Sequence, residues 1–155
     1  MAITNGFELV LNRRLIFGEN RIEEVIPILE WYKKKKALFV TFSMHSEASK
    51  KVSSLLQDAG LSAVTYEVTS EPTLQIIDNG RDIYLSENCD CTIGLGGGSV
   101  IDTAKVIGML AVNGGSTEDY QLNGRAVITD PPLFIALPTT SGTGAEATKT
   151  SVVIN

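Results

Sequence analysis

The strongest chemical signal in the chain is the run Gly94-Leu95-Gly96-Gly97-Gly98-Ser99-Val100-Ile101-Asp102-Thr103-Ala104-Lys105. Cys91-Thr92-Ile93 just before it is β-favouring, and Val106, Ile107, Leu110 and Ala111 just after it recur at helical spacing. This spacing predicts a strand that runs into glycines and out into a helix. Without Cβ atoms at 96 to 98 the backbone can take positive φ, and a ligand can approach the main chain closely. The first amides of a helix lack intrahelical partners, and the macrodipole adds partial positive charge there. Together these features make an anion seat, most naturally for a phosphate. A purely structural reading also stands: Ser99 and Asp102 have the spacing of a capping box, and three glycines can simply make a tight turn. No Gly-Lys-Ser/Thr closes the run as in a Walker A loop, and Ser99 stands where G-x-G-x-x-G requires its third glycine.

A second loop, Thr139-Thr140-Ser141-Gly142-Thr143-Gly144-Ala145-Glu146, follows the strand-like run Leu133 to Leu137. In an open α/β sheet, loops at the carboxyl ends of the strands line the ligand crevice. If the two strands are parallel neighbours, this loop and the glycine turn share that edge. The hydroxyls of Thr139, Thr140 and Thr143 then suit phosphate, ribose or an amide; alternatively they serve their own backbone. Cys89 and Cys91 are the only cysteines. A disulfide between them would be strained and C-x-C is half a metal site, so core packing is expected. His45, the only histidine, cannot make a His-rich metal site or a Ser-His-Asp triad alone. It reads as a loop or helix-entry residue.

The elements that must position these loops follow from periodicity. Residues 7 to 17 read as an N-terminal strand pair. Ile22, Val25, Ile26 and Leu29 follow a helical rhythm that closes on the basic run Lys33 to Lys36. Pro27 inside this pattern implies either a bend or a first regular turn that begins near it. Ala37 to Thr41 resembles a strand buried on both faces of a parallel sheet. A helix is predicted from near Ser46 to Gly60, a strand over 61 to 68, and a further helix opened by Pro72 and Thr73, with Gly80 a weak spot within it. Residues 113 to 132 suit a surface loop with a short element inside, and Ser151 to Ile154 is strand-like. Strands alternating with helices predict right-handed βαβ units in a doubly wound, mostly parallel, Rossmann-like α/β sheet. The whole of 1–155 reads as one domain of ordinary size.

The chain is 43% hydrophobic with a net charge of −5, a globular composition without the basic surface that nucleic acid or an anionic membrane requires. No apolar run approaches the ~20 residues that span a bilayer, and no basic-then-apolar leader opens the chain. The cytoplasm is the expected location.

The glycine run 96 to 105, followed downstream by Pro138 to Glu146, resembles the iron-containing (group III) alcohol dehydrogenases. Phe17-Gly18, the Ala37 to Thr41 strand and Glu71-Pro72-Thr73 sit where that family has comparable elements, so the resemblance covers nearly the whole chain. It implies an α/β domain that binds NAD or NADP, beside a separate helical domain that holds a catalytic divalent metal, Fe2+ or Zn2+. Gly97, Gly98, Ser99 and Asp102 would hold the cofactor diphosphate. Thr139, Thr140 and Thr143 would surround the nicotinamide side and its ribose, and Thr148 and Thr150 would line the same cleft. Many NAD-preferring relatives place an Asp after the first core strand. Phe42 stands there in this chain, which removes a carboxylate that repels a 2′-phosphate and inclines the reading to NADP. The family's metal ligands, one Asp and three His, lie C-terminal to the matched part. The expectation is therefore the cofactor-binding portion of a larger enzyme that interconverts small alcohols and aldehydes, inactive without its metal domain. Two alternatives are a glycerol dehydrogenase or dehydroquinate synthase-like domain and a stand-alone nucleotide-binding module. The N-terminal strands offer edges through which copies could pair as a homo-oligomer.

Overall fold

In the computed structural model, residues 14–155 are described. The strand pair expected over 7 to 17 falls mostly outside this range, and residues 14–17, which lie within it, form no strand. A 3-10 turn, Arg21–Glu24, leads directly into α1 (Val25–Trp31). Pro27 thus lies in the first turn of the regular helix, where its missing N–H costs nothing. The chain leaves α1 through Lys33 at φ 53°, so the lysines expected to end the helix form a turn and the start of a strand instead.

Four parallel strands follow: β1 (Lys36–Thr41), β2 (Ser62–Glu67), β3 (Cys91–Gly96) and β4 (Leu133–Pro138). Their spatial order is β2-β1-β3-β4. The helices between them are α2 (Glu47–Asp58), α3 (Leu74–Ser86) and α4 (Gly98–Asn113), with a short α5 (Thr117–Gln121) before β4. Ser46 caps α2 by accepting from the Ser49 amide, and Gly60 follows the helix at φ 68°, a backbone region that costs glycine little. Thr73 caps α3 by accepting from the Ile76 amide.

Alternation along β1 explains why both sheet faces are covered. Ala37 and Phe39 pack with Val25, Leu29, Val52 and Leu56 of α1 and α2. Leu38 and Val40 pack on the opposite face with Ile77 and Tyr84 of α3 and Val100, Ala104, Ile107 and Leu110 of α4. Full burial of a side chain such as Phe39 contributes about 1.5–3 kcal/mol. Gly80, expected to weaken α3, sits where α3 meets α4: a Cβ there would overlap Ile107 and lie 3.0 Å from Tyr66 Cε1. It is a contact point between helices. Cys89 and Cys91 are buried free thiols, and burial pushes both above the ordinary thiol range, which keeps them unreactive. The end of the chain contributes a single parallel bridge, Ile154 to Thr73, where a strand was expected.

This topology is doubly wound. From the central pair β1 and β3, the chain steps outward to β2 on one side and β4 on the other. The order reverses between β1 and β3, and the loops leaving the two strands diverge at that point, which opens a crevice at their carboxyl ends. No helix among the described residues is long and apolar enough to cross a membrane.

Candidate functional site

Every strand sends a loop to that crevice. β3 and β4 are parallel neighbours in a register that sets Gly96 opposite Pro138, and the Thr139 amide donates to the Gly96 carbonyl at 2.9 Å. The glycine turn and the threonine loop therefore share one edge, the condition of parallel neighbouring strands being met. Two adjoining clefts lie there. The first, about 550 Å3, is lined by Phe42 after β1, Val68 to Glu71 after β2, Gly97, Ser99 and Val100 after β3, and Thr139 and Thr140 after β4. The second, about 350 Å3, is bounded by Gly98, Ser99 and Asp102 on one wall and by Thr143, Ala145, Thr148, Thr150 and Val152 on another. Glu71 and Ser99 line both clefts, and Ser99 Oγ donates to Glu71 Oε2 at 3.1 Å.

The glycines serve this site through clearance. None of Gly96, Gly97 and Gly98 has positive φ, contrary to the freedom expected of them; Gly97, the N-cap of α4, has φ −79° and ψ −171°. A Cβ at Gly97 would lie 3.2 Å from Thr140 Oγ1, and one at Gly98 would lie 3.1 Å from Thr143 Cγ2. The missing side chains let the threonine loop close over the helix start and leave the main chain bare. The first turn of α4 receives no side-chain cap, so its amides remain available to an anion.

The Ser99–Asp102 capping box does not form. The helix has already begun at Gly98, and Ser99 turns to Glu71. Asp102, buried one turn into α4, uses Oδ2 to accept from the Val152 amide at 3.0 Å, and its Oδ1 lies 3.1 Å from Lys105 Nζ. The structure thus brings all ten residues singled out in the sequence to the two clefts, in different conditions. Thr139, Thr140 and Thr143 present exposed residues at the mouth. The Thr148 hydroxyl is engaged within its own segment, with the Ala145 and Thr150 carbonyls at 3.4 and 3.2 Å, and the Thr150 carbonyl is held by Lys105 at 2.6 Å. Phe42 is 58% exposed at the rim. Two residues escaped the sequence reading as members of the site. Glu71 returns a carboxylate to the cleft that Phe42 had left without one, and Lys105 ties the far wall together. No local pattern around either residue marks it as part of a site: Lys105 sits in mid-helix, and the partners of both are distant in sequence.

The model of the family described as "Iron-containing alcohol dehydrogenase" matches residues 12–155. The chain belongs to the iron-containing alcohol dehydrogenase family. It is 37% identical over 142 residues to the NAD-dependent methanol dehydrogenase of Bacillus methanolicus, covering 89% of this chain and 37% of that protein. Among solved structures, the NADH-dependent butanol dehydrogenase A of Thermotoga maritima superposes with a TM-score of 0.89 at 22% identity, over 97% of this chain and 38% of that one, a likeness of fold. The sulfoacetaldehyde reductase of Bifidobacterium kashiwanohense, solved with NAD+, superposes with a TM-score of 0.80 at 28% identity, over 89% of this chain and 37% of that one. The chain thus spans less than two-fifths of the length of these relatives.

The family name implies iron. Among the described residues no group of three or more His, Cys, Asp or Glu converges to hold a metal ion, and His45 is exposed in the turn before α2. The donor set present here does not fit that metal, and no step is assigned to it.

Proposed function

We propose that this chain is the dinucleotide-binding portion of an alcohol or aldehyde oxidoreductase, with NAD as its cofactor. The observation that carries the reading is the bare, uncapped start of α4 at Gly97 and Gly98, faced by Thr140 and Thr143 and flanked by a cleft on either side. A dinucleotide is two nucleoside-like halves joined by a diphosphate, and this arrangement offers two clefts joined at an anion seat. Gly97, Gly98 and Ser99 hold the diphosphate through main-chain amides and the Ser99 hydroxyl. Thr143 supplies its hydroxyl to the ribose and amide groups on the second side, where Thr148 and Thr150 form the outer wall, while Thr139 and Thr140 stand beside the seat in the first cleft. When bound, the dinucleotide supplies the acceptor or donor of hydride; the chain's own part is to hold and orient it.

NAD is favoured over NADP because, among the described residues, the first cleft is lined by a carboxylate, Glu71, and by no lysine or arginine. A 2′-phosphate there would bring extra negative charge with no cation to receive it. The Bacillus methanolicus relative is named as NAD-dependent, and the Bifidobacterium structure holds NAD+, which supports the same choice. Isothermal titration of the 155-residue chain with NAD and NADP tests the proposal. Binding of NAD with weaker binding of NADP is expected, and binding of neither would remove it.

A further inference from the structure

Lys105 lies one turn beyond Asp102 on α4, and its side chain is only 14% exposed. Its ammonium group donates to the carbonyls of Ala145 at 2.8 Å, Thr148 at 3.2 Å and Thr150 at 2.6 Å, with Thr148 Oγ1 at 3.4 Å. Asp102 Oδ1 stands 3.1 Å from the same nitrogen, and Asp102 Oδ2 takes the Val152 amide. Two side chains of one helix thereby hold a stretch, 145 to 152, whose own regular structure is a single 3-10 turn at Ala145–Ala147. That stretch supplies Ala145, Thr148, Thr150 and Val152 to the second cleft.

The energetics make the ammonium the organiser. A loop with so little internal hydrogen bonding has no reason of its own to point three carbonyls at one spot. A partly buried ammonium is costly without partners, and its donors are here satisfied by oxygens that converge because the charge is there. The Asp102 carboxylate offsets the charge and fixes the next amide along. The ammonium donors are taken up by the Ala145, Thr148 and Thr150 carbonyls, and Asp102 Oδ2 is taken up by the Val152 amide.

We propose that Lys105, with Asp102, is a positioning residue that builds the outer wall of the second cleft, so that binding of the half of the dinucleotide beyond the diphosphate depends on it. This rests on the dinucleotide reading above and gives Asp102 a role distinct from direct contact with the diphosphate. ADP reaches the first cleft and the seat but not the second cleft; NAD reaches all three. Titration of Lys105→Met should therefore show NAD affinity reduced about tenfold, or about 1.4 kcal/mol, with ADP affinity within about twofold of wild type. Amide hydrogen exchange should accelerate over 145 to 152 and stay unchanged in β1 and β3. Should Lys105→Met fail to fold, the double variant Asp102→Asn/Lys105→Met leaves no unpaired buried charge and carries the same expectation. Equal losses for NAD and ADP, or no loss for either, would overturn the positioning role. Failure of the wild-type chain to bind either ligand would overturn the dinucleotide reading and this inference with it.

Discussion

Replacing Gly97 with valine separates the two uses a glycine can have at a strand-to-helix turn. Its φ of −79° and ψ of −171° are open to a β-branched residue, so the backbone need not move. The new Cβ would stand 3.2 Å from Thr140 Oγ1 and 3.7 Å from Thr140 Cγ2, and Thr140 is exposed and free to turn away. Loss of glycine's freedom in the unfolded chain returns about 0.4–1 kcal/mol, which offsets most of that adjustment. The net change in stability is expected to stay within about 1 kcal/mol, a melting shift of about 2–4 °C for a chain of this size. The effect on binding is larger. The side chain fills the space in front of the α4 amides, and each charge-assisted hydrogen bond lost is worth about 1.5–3 kcal/mol, or about 10- to 150-fold in affinity. Titration calorimetry with NAD reads that loss, and a thermal melt reads the fold. Gly96→Ala is the contrasting control. Its Cβ would come within 2.7 Å of Val100 Cγ2 and 2.8 Å of Val100 Cβ, which should destabilise the fold by about 1–3 kcal/mol. If Gly97→Val melts like wild type and keeps full affinity for NAD, the bare main chain at α4 is not the seat.

Other consequences can be measured directly. Glu71→Gln removes a negative charge that hydrogen-bonds Ser99 at the seat. ADP affinity should tighten about threefold at low salt, less as salt is added, with adenosine unaffected; equal gains for ADP and adenosine would show that charge is not the cause. Gly80→Ala should destabilise the chain by about 1–3 kcal/mol in urea despite alanine's better helix propensity, because the methyl collides with Ile107 and crowds Tyr66. The backbone amide of Ser116, ahead of other groups, holds the Asp119 carboxyl below the usual carboxylate range. A depressed value in the folded chain means stability that is present above the unfolded value of about 4 and is lost as pH falls through the folded one. The urea midpoints of wild type and Asp119→Asn should therefore differ at neutral pH and converge in acid.

Local pattern carried the sequence reading a long way where local physics decides the outcome. Ser46 and Thr73 cap the helices they precede, Gly60 ends α2, and the apolar run at 37 to 41 is a strand buried on both faces. The spacing S-x-x-D occurs twice with opposite results. Ser116 and Asp119 form a reciprocal capping box, whereas Ser99 and Asp102, at the same spacing, are drawn to Glu71 and to Lys105 and Val152. A helix that has already begun at a glycine N-cap has no need of the second box, and the spacing alone cannot reveal where the helix starts. The glycine run shows a similar limit: composition marks missing side chains but does not say whether the backbone needs the space or the φ angle. Glu71 and Lys105 were invisible as site residues for a plainer reason. Their partners are 28 and 45 positions away in the chain, and only the sheet order brings them together.

The most direct test is amide chemical-shift mapping of the isotopically labelled chain during titration with NAD. The amides of Gly97, Gly98, Ser99 and Val100 should move together with those of Thr140 and Thr143, while those of α2 stay still. Saturable binding whose shifts leave the start of α4 untouched would contradict the seat on which the proposed function stands.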